Sequence, residues 1–274
     1  MRASTLPLAT IQYVPVPLDP VANLERMSTM VADARSRGAR LIVFPELACT
    51  GYVEHEDLHR LAEDTQGPIV QSLANLSRRY GVYLAAGFVE LKDGHVYNSI
   101  SFSTPNGQVS IYRKRHLIFW EHFYFRHGQK PLIVETDFGR IGFAVCADMM
   151  YQHVWTEYRG KIDLAVIAAA WPCRTPQTAL RVGWMLEPSW SLAGNIPAQI
   201  ARKLEINVVF ANQCGPCEVR IPHLGPATPA AFAARSGIYD HRGNRITVET
   251  DLESTAIEAV SVPEEHLPCV TLSA

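Results

Sequence analysis

Short apolar runs alternate with amphipathic stretches along the chain. Residues 8–14 and 41–44 carry β-branched side chains with no polar alternation, the pattern of strands buried on both faces. Between them Leu24, Met27, Met30 and Val31 recur at helical spacing, with Asn23 placed to cap the helix and Gly38 to end it. A second helix is predicted over 69–80, leading through Gly81 into a strand over 82–91. Lys92-Asp93-Gly94 reads as a hairpin turn into a strand over 95–103, and Pro105-Asn106-Gly107 as another turn. Further on, Asp137-Phe138-Gly139 turns into a strand over 140–146. Helix is predicted for 151–159 and 196–204, strand for 162–170 and 206–211, and a hairpin for 238–248 around His241-Arg242-Gly243-Asn244. Helical crossovers mixed with hairpins predict a mixed α/β layered fold. With no low-complexity linker and no tandem repeat, 1–274 reads as a single domain.

Composition narrows the function classes. The 274 residues are 47% hydrophobic and 19% charged, enough apolar surface for a substantial core and too much for a disordered chain. Net charge is -2, from 25 basic and 27 acidic residues, without a long basic block. That balance argues against a dedicated binder of nucleic acid or anionic membrane. No segment approaches the ~18 apolar residues of a membrane span, and the N-terminus lacks a basic region followed by a long apolar run. Six cysteines are too sparse for a disulfide scaffold, and Cys49, Cys146 and Cys269 lie in or beside apolar segments. The expectation is a soluble cytoplasmic protein with reduced thiols.

Three segments share a form in which a strand stops at a reactive residue. Leu41-Ile-Val-Phe-Pro ends at Glu46, Ile141-Gly-Phe-Ala-Val ends at Cys146, and a tyrosine-led strand end carries Tyr112-Arg-Lys114-Arg-His116. A lone cysteine ending a core strand is ordinarily a small buried residue. Here Ala147-Asp148 can open a helix, whose N-terminus favours thiolate and offers amides to an oxyanion. Glu46 after so apolar a run would be partly buried, which raises a carboxyl pKa and suits it to general base work; the bland alternative is a surface carboxylate. Lys114 is one of only 5 lysines against 20 arginines. It is either part of a solvated basic strip or a compact point charge for an oxyanion.

Weaker signals surround these. Cys214-Gly-Pro-Cys217 has metal or redox spacing but lacks a second cysteine pair, so two incidental loop cysteines is the simpler reading and a zinc module the alternative. No HExxH-type histidine pair is present, and Ser236 lacks a nucleophile-elbow context. Trp155, Trp171, Trp184 and Trp190 divide between core packing and a pocket lining.

With Glu46, Lys114 and Cys146 in this order and these contexts, the chain resembles the nitrilase superfamily of carbon–nitrogen hydrolases over nearly its whole length. Gly38–Glu46 with Thr50-Gly-Tyr52 is similar to the family's glutamate block, Tyr112–Leu117 to its lysine block, and Gly139–Asp148 to its cysteine block. The segment 163–172, ending Ala-Ala-Ala-Trp-Pro, and Ala211-Asn212 are similar to later strands. Glu121 matches a second glutamate that positions the substrate or the lysine. The resemblance implies a four-layer α-β-β-α sandwich that associates as a homodimer or a higher homo-oligomer. It implies hydrolysis of a small-molecule primary amide or N-carbamoyl amine through a thioester. Cys146 would be the nucleophile, Glu46 the base, and Lys114 with the Ala147 N–H the oxyanion hole, with no metal or organic cofactor. Tyr52, His122, Trp171 and Arg174 are expected in the substrate pocket, Arg174 as a partner for a substrate carboxylate. A nitrile is the alternative substrate, and a scaffold that keeps the fold without turnover the alternative function.

The chain also departs from the family pattern. Position 147 is commonly larger in the family, so alanine implies a roomier pocket. Tyr151-Gln152-His153 stands where the family has Phe-Pro-Glu, and residues 214–226 are proline-rich and unlike the usual segment.

Overall fold

The computed structural model describes residues 4–53, 56–173, 189–219, 228–248, 250 and 252–262. In one sheet β1 (Ser4–Gln12), β2 (Leu41–Val43) and β3 (Tyr83–Lys92) lie parallel, and β4 (His95–Ser103) and β5 (Val109–Arg113) extend it as antiparallel neighbours. In the other, β7 (Gly139–Val145), β8 (Leu164–Ala169) and β10 (Asn207–Asn212) are parallel. They are edged by antiparallel β6 (Ile133–Thr136) and β13 (Gly237–Tyr239). Beside them, β9 (Pro172–Cys173), β11 (Pro216–Val219) and β12 (Thr228–Phe232) form a small antiparallel sheet. The last described strand, β14 (Ser254–Val262), returns to pair antiparallel with β1.

Period-two alternation sorts the first sheet's side chains between two cores. Leu8, Leu41, Val43, Tyr83 and Ala85 face the second sheet and join Phe143, Val166 and Phe210. Their neighbours Ala9, Ile11, Ile42, Phe44, Leu84 and Ala86 face outward, against Met27, Val31, Ile69 and Leu73 of helices α1 (Pro20–Ser36) and α2 (Pro68–Tyr80). Both faces are therefore covered, which is why these strands read as unbroken apolar runs. Each fully buried aliphatic or aromatic side chain contributes about 1.5–3 kcal/mol. On the second sheet's side, Val154, Trp155 and Tyr158 of α3 (Gln152–Tyr158) and Ala193, Ile200 and Ala201 of α4 (Ser189–Leu204) join the same core. The layers run helix, sheet, sheet, helix.

Most predicted elements fall within a few residues of these bounds, and three differ. Asn23 does not cap α1. Pro20 takes the first helical position and Asp19 Oδ1 accepts the Ala22 N–H at 3.0 Å. Asn23, buried inside the helix, accepts from Tyr13 OH and Val16 N and donates to Val16 O and Cys49 O. The hairpin predicted over 238–248 closes at a single bridge, Tyr239 to Arg245, because the Asp240 side chain accepts from Arg242 and Asn244 and bends the chain into a loop. Helix α4 begins ahead of the predicted position 196 and carries Pro197 inside it. The Asp93-Gly94 turn is as expected, with φ of 50° and 74° matching a two-residue type I′ connection. Among the described residues, no helix is long and apolar enough to cross a membrane.

Candidate active site

Strand ends deliver the candidate side chains, two of them from the parallel strands β2 and β7 and one from the antiparallel β5. Glu46 follows β2, Lys114 is the residue after β5, and Cys146 is the residue after β7. All are buried, with Glu46 and Lys114 at 0%, Glu121 at 1% and Cys146 at 3% exposure. Lys114 Nζ donates to Glu46 Oε1 and to Glu121 Oε1, each at 2.7 Å. Asn98 Nδ2 donates to Glu46 Oε1 at 2.6 Å and reaches Glu121 Oε1 at 3.4 Å. The remaining oxygens are also met: Ala170 N donates to Glu46 Oε2 at 2.7 Å and Ile118 N to Glu121 Oε2 at 2.8 Å. Both carboxylates are thus locked in orientation, as a preorganised site requires.

One ammonium faces two carboxyl groups in a water-poor space. Burial works against the charged Lys114, yet Glu121, Glu46 and the neighbouring Cys146 outweigh it and hold its pKa well above the ordinary lysine value. Burial pushes Glu121 upward; Lys114 opposes that and the Glu46 charge adds to it. The Cys146 thiol is pushed well above the cysteine range, first by burial and then by Glu46, against the pull of Lys114. A thiol so placed stays protonated at neutral pH and needs a base at the moment of attack.

Cys146 has φ of +46°, a left-handed conformation that costs a non-glycine residue about 1–3 kcal/mol. It opens a single 3₁₀ turn, Cys146–Met150, whose first N–H groups have no acceptor within the turn. Asp148, fully buried, holds this turn in place. Its Oδ2 accepts from Val145 N at 3.1 Å and Tyr112 OH at 2.9 Å, and its Oδ1 from Arg115 N at 3.1 Å and His116 N at 2.8 Å. One carboxylate therefore fastens the cysteine turn to the strand end that presents Lys114.

Glycine supplies close packing behind Glu46. A Cβ on Gly87 would stand 2.1 Å from Leu47 N and 2.6 Å from the Glu46 carbonyl carbon. Sequence reading missed Gly87 and Asn98, and took Asp148 only as a helix opener. Polar Asn98 in the strand 95–103 was the one visible hint.

The other expected residues are placed as follows. Ala147 is buried in the first turn after Cys146. Trp171 is buried; its N–H donates to Asn212 Oδ1 at 2.9 Å, and its indole nitrogen has no partner among the described residues. Tyr52 OH accepts from Trp120 Nε1 at 2.9 Å and lines a cavity of about 460 Å³ with Val53, Cys214, Cys217 and Phe232. Glu46, Lys114 and Cys146 do not line that cavity. The link is Gln213, on its wall, whose Nε2 donates to the Glu46 backbone oxygen at 2.7 Å. His122 is exposed, its ring 5.0 Å from that of His127, and is not drawn into the Lys114 cluster. Arg174 and Trp184 lie outside the described residues. Burial raises the Cys214 thiol to about 12, which disfavours the thiolate that a zinc ligand needs.

The carbon–nitrogen hydrolase family model matches residues 7–260. The chain is 33% identical over 172 residues to a probable nitrilase of Schizosaccharomyces pombe, covering 60% of this chain and 63% of that one. It is 33% identical over 131 residues to an (R)-stereoselective amidase of a Pseudomonas species, covering 48% and 47%. The chain spans about half to three fifths of the length of these curated relatives. Among solved structures, an amidase from Nesterenkonia superposes with a TM-score of 0.77 at 20% identity, covering 95% and 92% of the two chains. Saccharomyces cerevisiae Nit3 superposes with a TM-score of 0.76 at 20% identity, covering 100% and 98%; at these identities the likeness speaks for the fold. The chain belongs to the carbon–nitrogen hydrolase family, the nitrilase superfamily.

Proposed function

We propose that the protein hydrolyses the carbon–nitrogen bond of a small primary amide or N-carbamoyl amine through a Cys146 thioester. The observation that carries this reading is the fully buried Lys114 ammonium held between Glu46 and Glu121, with the strained Cys146 within electrostatic reach of all three. Packing alone gives no reason to bury that set of charges, since a buried ion pair is at best neutral against a hydrophobic one.

For an amide, Glu46 takes the thiol proton as sulfur bonds to the carbonyl carbon. Negative charge collects on the carbonyl oxygen, where the Lys114 ammonium and the Ala147 N–H stabilise it. Collapse breaks the C–N bond, and the proton on Glu46 passes to the departing nitrogen, leaving the thioester. Glu46 then takes a proton from water, hydroxide adds to the thioester carbon, and the thiol leaves with that proton as the acid is released. Glu121 keeps Lys114 in line throughout. The substrate's non-reacting end is assigned to the apolar cavity whose wall includes Gln213, the residue hydrogen-bonded to the Glu46 backbone.

A nitrile is the second reading, favoured by relatives that carry the name nitrilase. The same thiol would add to the nitrile carbon to give a thioimidate. In a glutamate-to-glutamine mutant of the Nesterenkonia amidase the active-site cysteine has added acrylamide, which supports a reactive thiol in this fold. The test is acid-quenched intact-mass spectrometry during turnover. An acyl adduct on the wild type that is missing from Cys146→Ala supports the reading, whereas turnover by Cys146→Ala overturns it.

A further inference from the structure

The segment Tyr151-Gln152-His153, where the chain leaves its family's pattern, folds against the lysine block. His153 Nε2 lies 2.9 Å from His116 Nε2, with the ring planes at 63°. Tyr151 stacks on His116 with centroids 3.8 Å apart and planes at 18°. On the other side of the His116 ring, Nδ1 is 2.8 Å from Asp148 Oδ1. A carboxylate accepts only, so Nδ1 carries the hydrogen and a neutral His116 presents a lone pair at Nε2.

Two nitrogen ligands about 2.1 Å from one metal ion stand about 3.4 Å apart at the tetrahedral angle and about 3.0 Å apart at the 90° of octahedral coordination. The 2.9 Å separation of the two Nε2 atoms matches the octahedral figure. Behind one of them stands a buried carboxylate, the outer partner that fixes the tautomer and orientation of a metal-bound histidine. His153 is exposed and the His116 side chain is 17% exposed, so solvent reaches the point between them and water can fill further ligand positions.

We propose that His116 and His153 form a two-histidine site for a divalent first-row transition ion, Ni²⁺ or a Zn²⁺ completed by water to five or six ligands, joined through Asp148 to the turn that carries Cys146. The ion replaces the hydrogen bond between the rings, and the proton of that bond moves to His153 Nδ1. Imidazole donors select such ions over Mg²⁺, which takes oxygen. The site is separate from Glu46, Lys114 and Cys146, and the chemistry above proceeds without it.

The experiment is calorimetric titration of Zn²⁺ and Ni²⁺ into the full chain carrying Cys146→Ala, which removes the nucleophilic thiol as a competing ligand. The same titration is run on that protein with His153→Gln added and with His116→Gln added, with Mg²⁺ as control. Saturable binding of one ion per chain, weakened at least about tenfold by either histidine change, is expected. His153 is on the surface, so its variant folds; circular dichroism verifies this. Binding that survives His153→Gln would assign the ion to other groups such as Cys214 and Cys217, and no saturable binding of either ion would also overturn the site. Because the readout is binding rather than turnover, its failure leaves the hydrolase reading standing.

Discussion

Replacing Asp148 by asparagine keeps the side chain's shape while removing its charge and one acceptor oxygen. If the new amide nitrogen takes the Oδ2 place, Tyr112 OH can turn and accept, but Val145 N–H is left facing a donor. A stranded buried donor costs about 1–3 kcal/mol, and losing the charge weakens the bonds from Arg115 and His116 that remain, so about 3 kcal/mol is expected in all. Unfolding entropy of about 2.1 cal/mol/K per residue gives this chain about 0.6 kcal/mol/K, so melting should fall by about 5 °C. Val145 precedes Cys146, the proposed nucleophile. Losing its anchor lets Cys146 relax from its left-handed conformation, and a displacement near 1 Å costs roughly 10²-fold in kcat. Calorimetry and steady-state kinetics on Asp148→Asn check both numbers. Melting within about 1 °C of wild type would refute the hydrogen-bond argument, and a full fall in melting with kcat unchanged would refute the link to Cys146.

Other expectations follow from the same geometry. Glu46→Gln should lower kcat by roughly 10²–10⁴ with KM little changed, the range for losing a general base, while Glu121→Gln should cost far less because an amide oxygen can still accept from Lys114; equal losses would overturn the division of roles. Gly87→Ala should both destabilise the protein and impair turnover, since its Cβ would meet the backbone of Glu46 and Leu47, and a melting curve and rates indistinguishable from wild type would contradict that packing. The Cys146 pKa is raised in the fold, so the thiol's contribution to stability is fully present below the unfolded value of about 8.5 and is lost as pH rises toward the folded one. Over that window wild type should lose stability faster than Cys146→Ala by about 1.4 kcal/mol per pH unit, measured by urea unfolding; parallel curves would mean that the thiol is not desolvated.

Glu46 and Cys146 were legible because each lies just past an element whose residues announce themselves. Leu41–Val43 and Gly139–Val145 are buried on both faces, so they read as unbroken apolar runs, and the polar residue just past each run stands out. Asn98 and Gly87 were not legible, since their importance lies in which carboxylate they touch, and strand periodicity does not carry that. Asp148 gathers donors from residues 112, 115, 116 and 145, partners that only the tertiary structure brings together. Asn23 misled because Asp19 and Asn23 both suit a helix start; the proline at 20 decided for Asp19. β14 was missed because Ser254–Val262 is half exposed on one face and alternates weakly, taking its order from pairing with β1.

Ammonia release from a panel of carboxamides, N-carbamoyl amines and nitriles, for wild type beside Cys146→Ala, tests the central claim most directly. Release by wild type on at least one carboxamide or N-carbamoyl amine is expected, with none by Cys146→Ala. Equal release by both proteins would contradict it, because the carbon–nitrogen bond would then be broken without the Cys146 thiol.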